Sequence, residues 1–244
     1  MDNIPESAQT QNENFKVVLN DILNMGYFKN SAVESGHPNG FDKHEQAIRN
    51  VFENHGYTPF EPTERPSKND VENWITNPET CPLRPGQFLE QPCGSQGNPD
   101  FLVRVSNDLL LPIEAKSSQK GTPLYNSGGV KNRTLYIFCS EHHNQTTIFW
   151  GSDIITPEQQ ETLREIHRLQ KDIEILKNQL LQEQDTNGRG WSYYTRPMIG
   201  QCGGREKTDY FTHNDRRRCE ENVLNYFNQA SRSLTAEEAR SIVG

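Results

Sequence analysis

Two apolar runs joined by a short polar turn constrain this chain more than any other feature. Phe101-Leu102-Val103-Arg104-Val105 is apolar and β-branched, Ser106-Asn107-Asp108 is turn chemistry, and Leu109-Leu110-Leu111-Pro112-Ile113-Glu114-Ala115 is the second run. The pattern predicts a β-hairpin. Side chains alternate along a strand, so Glu114 and Lys116 share one face and Ala115 takes the other. Asp100 stands at the mouth of the first strand. A Glu and a Lys two apart on a buried strand require partners. Asp100 and Glu114 offer hard oxygens to a divalent cation. Lys116 can position or deprotonate a water, or offset charge that builds on a phosphate.

The residues in question are Pro99-Asp100, thirteen intervening positions, then Glu114-Ala115-Lys116, preceded by the loop Gly94-Ser95-Gln96-Gly97-Asn98. This arrangement resembles the PD-(D/E)XK nuclease superfamily, directly over the hairpin and, with flanking elements, over residues 41–155. The resemblance implies an α/β fold in which a mixed β-sheet core is flanked by helices, as in restriction endonucleases. It implies Mg²⁺ held by Asp100 and Glu114, with Lys116 as a third catalytic residue acting as base or as electrostatic stabiliser. Nucleases of this type often add an acid from a helix before the hairpin. Glu45, in Lys43-His44-Glu45-Gln46-Ala47-Ile48, is the candidate, with a solvated helix glutamate as the alternative. Gln119 reads as a polar loop residue that could reach the phosphate or the metal shell.

Composition narrows the setting. A chain of 244 residues and 28.0 kDa holds one large domain or two small ones. A hydrophobic fraction of 32% predicts long polar loops or a polar cleft. No apolar run approaches membrane-spanning length, so no membrane partner is expected. Met1-Asp2-Asn3-Ile4-Pro5-Glu6 lacks the basic and apolar regions of a signal peptide. Cys81, Cys93, Cys139, Cys202 and Cys219 are an odd set without paired spacing, which reads as reduced thiols in a cytoplasmic protein. His142, His143 and His213 raise the alternative of zinc, but no Cys-x-x-Cys pair supports it.

The net charge of −8 is unevenly spread. Residues 186–219 hold seven Lys and Arg against three acids, a local +4, which leaves −12 on the rest. A basic segment on an acidic body can still face DNA. Arg189, Arg196, Arg205 and Lys207 interleave there with Trp191, Tyr193, Tyr194 and Tyr210, a pattern suited to phosphate grip and base reading. A solvated basic surface over core aromatics is the alternative. Tyr193 and Tyr194 are adjacent, so on a strand they cannot both face inward. Asn126-Ser127-Gly128, close after the Glu-Ala-Lys strand, is a second candidate DNA-contact loop.

The remaining periodicity orders the chain. Residues 1–13 read as polar and mobile. Phe15, Val18, Leu19, Ile22 and Leu23 predict a helix over Phe15–Met25, and Ala47, Ile48, Val51 and Phe52 one over Asp42–Asn54 that stops at Gly56. Proline-rich residues 58–99 read as an irregular excursion with one short helix over Asn69–Thr76, Asp70 and Glu72 in its first turn. Strands are predicted over 134–139 and 146–151. Thr156-Pro157-Glu158-Gln159 is an N-cap, a proline at the first helical position and a capping-box glutamine. Ile166, Leu169, Ile173, Leu176 and Leu180 then recur at spacings of 3 and 4, predicting a rod of roughly 40 Å. That seam either spans its own domain or pairs with a second copy as a short coiled coil. Beyond it, Asp209–His213 reads as a strand, Arg216–Phe227 as a helix, and Ser233 onward as the start of a last helix.

The expected organisation is helices and catalytic core over 1–155, the long helix over 156–185, and a DNA-recognition region over 186–244 packed on the core. For a stand-alone chain of this size, the resemblance implies a type II restriction endonuclease. Such an enzyme cuts double-stranded DNA at a short sequence, leaves 5′-phosphates, and works as a homodimer to cut both strands. A repair or recombination nuclease, or a non-catalytic DNA-binding or coiled-coil protein on the same fold, are the alternatives.

Overall fold

The computed structural model describes residues 7–27, 42–94, 97–125, 129–195, 198–200 and 208–228. Its centre is a six-stranded mixed sheet flanked by helices. The strands are β1 (Thr58–Pro59), β2 (Gln87–Glu90), β3 (Phe101–Ser106), β4 (Leu109–Ser118), β6 (Leu135–Ser140) and β7 (Gln145–Trp150), in the order β1-β2-β3-β4-β6-β7. A separate two-stranded ribbon pairs β5 (Leu124–Tyr125) with β8 (Ile199–Gly200). The predicted hairpin is β3–β4, with Ser106 absorbed into its first strand.

Alternation decides which residues meet which helix. Phe101, Val103, Leu111, Ile113, Leu135, Ile137 and Ile148 project to one face and are buried. They pack against α1 (Ala8–Leu23), α2 (Asp42–Asn54) and α6 (Arg216–Tyr226) through Phe15, Leu19, Ile48, Phe52 and Val223. Phe52 touches the rings of Phe15, Tyr57, Phe88 and Phe101, fixing α2 over the sheet. Gly56, at φ +82°, makes the left-handed turn that ends α2, as its position predicts. On the other face, Leu102 and Leu110 meet Val71 and Ile75 of α3 (Lys68–Thr76), while Tyr136, Phe138 and Phe149 meet Tyr125, Tyr210 and Phe211.

Three expectations are corrected. Residues 8–13 are helical, because Ser7 caps the Thr10 amide and α1 starts two turns before its apolar stripe. Residues 58–99 also contribute β1 and β2, and β2 pairs antiparallel with β3 over Gln87↔Arg104 to Glu90↔Phe101. Four residues among prolines give too short a run to register as a strand. Asp209–His213 is a turn rather than a strand: the Asp209 carboxylate accepts from the Phe211 and Thr212 amides, bending the chain so that Tyr210 and Phe211 both turn inward.

The helix α5 (Pro157–Glu183) follows the four-residue helix α4 (Gly151–Ile154), with Thr156 and Gln159 completing its capping box. Its base is anchored by buried Gln160 and by Leu163. Beyond that point Ile166, Leu169, Ile173, Leu176 and Leu180 are 37–53% exposed, so the seam packs on none of the described core. Among the described residues, no helix is long and apolar enough to cross a membrane.

Candidate active site

β4 outruns its neighbour. Phe101, the first residue of β3, pairs with Ile113, whereas β4 continues to Ser118 beside β6 alone. The notch left past Ile113 gathers the polar side chains. Asp100, just before β3, turns its carboxylate into the gap, and Oδ2 accepts the Ala115 amide at 2.8 Å. Glu114 and Lys116 point the same way from β4, as alternation requires, and Lys116 Nζ donates to Glu114 Oε1 at 2.5 Å. Glu114 is 2% exposed and the Lys116 side chain 11%.

Glu45 reaches this notch from α2. Its Oε2 accepts from Gln91 Nε2 at 2.8 Å, and the Gln91 amide donates to the Asp100 carbonyl at 2.7 Å. Gln91 follows β2 and holds φ at 44°, a left-handed turn that aims its side chain back at α2. The carboxylates act on one another. Burial first, then the charges of Glu114 and Glu45, push the Asp100 carboxyl up to about 8, against the Ala115 amide and the Lys116 charge. Beside Gln91, burial and the Glu45 charge also raise Glu90, which pairs with Arg49 at 3.2 Å.

Sequence reasoning did not single out Gln91 or His44. The signal for Gln91 was the Gln-Pro-Cys-Gly turn after an apolar pair. His44, next to Glu45, is buried with Nε2 3.4 Å from the Ile137 carbonyl oxygen, and burial pulls its imidazole down to about 4. It docks the first turn of α2 on β6 and so fixes where Glu45 stands.

Crowded, partly buried carboxylates repel one another, and hard oxygen donors suit Mg²⁺, which keeps several waters and takes one or two carboxylates plus substrate phosphates. Asp100 and Glu114 fit that demand. Among the described residues, no three His, Cys, Asp or Glu side chains are gathered into a metal-holding group.

Gln119, Arg189, Tyr193 and Tyr194 lie outside the notch. Gln119 is exposed beyond β4. Arg189 is exposed on the turn after α5, its amide held by Asp185. Tyr193 is 46% and Tyr194 78% exposed, so both face outward, and the Tyr193 backbone is clasped by the Asn178 side chain at 2.6 and 2.8 Å. Asn126, Ser127, Arg196, Arg205, Lys207 and the helix from Ser233 lie outside the described residues. Comparison with protein-family models, curated proteins and solved structures returns no match.

Proposed function

We propose that this protein is a Mg²⁺-dependent DNA endonuclease of the type II restriction kind, on a restriction-endonuclease-like core with residues 186–244 serving recognition. The observation that supports it best is the convergence of Asp100 with Glu114 and Lys116 of β4 on one notch, with Glu45 held by Gln91 near enough for its charge to act on Asp100. Asp100 and Glu114 would hold the metal, which when bound supplies Lewis acidity and charge neutralisation at the phosphate. Lys116, kept in place by Glu114, either accepts a proton from the attacking water or stabilises the negative charge of the transition state. Gln91 holds Glu45 toward the Asp100 carboxylate, where it orients water. The water oxygen bonds to phosphorus and the phosphorus bond to the 3′-oxygen breaks. The water loses a proton and the leaving oxygen gains one, giving a 5′-phosphate and a 3′-hydroxyl.

We further propose that two copies pair through α5. Ile166 and Ile173 occupy a positions and Leu169 and Leu176 d positions, the pattern that favours parallel two-stranded coils. In that register Asp172 at g faces Lys177 of the partner subunit at e. The polar back of the helix is already taken, since Glu174 accepts from the Thr195 amide and hydroxyl and Asn178 holds Tyr193.

The test is incubation of purified protein with plasmid and phage DNA in Mg²⁺, alongside Asp100→Ala and Lys116→Ala. Discrete bands lost in both variants support the reading, and mapping the ends reveals the target sequence. Nicking or cleavage of branched DNA alone points to a repair or recombination enzyme. No metal-dependent cleavage of any DNA, or full activity in Asp100→Ala, overturns it.

A further inference from the structure

The face of α5 that turns toward the sheet carries cations that the sequence patterning did not group. Lys131, Arg164, His167 and Arg168 line one cleft of about 250 Å³. Its floor is built: the Gln160 side chain, 3% exposed, reaches the Val130 carbonyl at 3.4 Å, and Leu163 packs beneath. Arg164 and Arg168 keep partners on their own helix in Glu161, Glu165 and Asp172. Among the described residues Lys131 makes no ion pair, and Glu72 acts on its ammonium only at longer range. Burial lowers Lys131, with Arg164 adding to it, and burial, Lys131 and Lys171 lower His167. Lys131 and Arg164 thus repel one another across the cleft, a condition that an anion relieves, while the lowered His167 favours its neutral form and can donate a hydrogen bond.

The cleft adjoins the carboxylate notch. The Lys131 amide donates to the Tyr136 hydroxyl at 2.9 Å, and Tyr136 lies opposite Glu114 in the β4–β6 register. The charges of Glu114 and Asp100 both reach that hydroxyl. Tyr136 therefore stands between an acidic notch suited to a metal and a basic cleft suited to phosphate, on one face of the sheet. Along one DNA strand the phosphates recur about every 3.4 Å of helix axis, so a duplex cut at one point presents further phosphates beside it.

We infer that the Lys131–Arg164–His167 cleft binds a backbone phosphate flanking the cut, an assignment that rests on the nuclease reading. It positions DNA without reading sequence.

The test measures binding of a fluorescent 30-base-pair duplex in EDTA between 50 and 200 mM salt. Loss of that one phosphate contact makes the slope of log affinity against log salt shallower by about 0.9 in Lys131→Gln/Arg164→Gln. Lys131→Arg should retain the wild-type slope, as should Lys16→Gln on α1, which packs on the opposite face of the sheet, and thermal melting checks that each variant folds. An unchanged slope in the double variant overturns the inference, and the nuclease reading stands if Asp100→Ala still abolishes cleavage. A reduced slope in a protein that cuts no DNA keeps the cleft and removes the nuclease. Inorganic phosphate that raises the melting temperature of the wild type but not of the double variant, with the DNA slope unchanged, makes it a small-anion site and overturns the assignment. A wild type that binds no duplex overturns the phosphate assignment, and cleavage in Mg²⁺ decides the nuclease reading separately.

Discussion

The Lys116 ammonium lies 2.5 Å from the Glu114 carboxylate, both projecting from one face of β4 into the notch beside Asp100. The pair is nearly dry, so removing one member leaves a buried charge.

Lys116→Met is therefore expected to lower unfolding free energy by about 3 kcal/mol in EDTA, read from urea denaturation. If Glu114 is also a metal ligand, Mg²⁺ restores more stability to this variant than to the wild type. Equal Mg²⁺ effects on both would remove Glu114 from the metal set.

Asp100 makes stability depend on pH. Its folded value is raised from 3.8 to about 8, so folding takes up a proton between those values. Its contribution is full below pH 3.8 and is lost as pH climbs through 8. Asp100→Asn keeps an acceptor for the Ala115 amide and carries no charge. In metal-free buffer at pH 8.5 it should be more stable than the wild type by about 2 kcal/mol, roughly 4–8 °C in Tm. A lower Tm would contradict the burial of repelling carboxylates.

His44 acts with the opposite sign. Its folded value drops from 6.5 to about 4, so stability is full above pH 6.5 and lost as pH falls toward 4. Urea midpoints of His44→Gln should vary less than those of the wild type between pH 7 and 5. Because the variant loosens the first turn of α2, cleavage should fall as well, through Glu45.

The exposed seam of α5 gives a prediction about assembly. Ile173→Glu/Leu176→Glu is expected to shift sedimentation from dimer to monomer while leaving the melting temperature of the fold within about 2 °C, since those residues touch none of the described core. A wild type that sediments as a monomer at tens of micromolar would falsify the paired helix.

Periodicity and local caps were sufficient for much of this molecule. The β3–β4 hairpin, the shared face of Glu114 and Lys116, α2 and the capped start of α5 follow from alternation, 3.6-residue spacing and side chains that bond amides three residues away. These are interactions between near neighbours, so sequence alone determines them. β2 was not legible, because a four-residue strand among prolines becomes a strand only when β3 supplies its hydrogen bonds. The inward turn of Tyr210 and Phe211 likewise depends on the Asp209 carboxylate and on an aromatic face built from Phe138 and Phe149. Gln91, His44 and the cleft around Lys131 are long-range meetings, in which side chains distant along the chain share one space only after the sheet has formed. The residue types of the Asp-Glu-Lys trio were written in the sequence. The notch that crowds their charges was decided by tertiary structure, because it exists only where β4 extends past the start of β3.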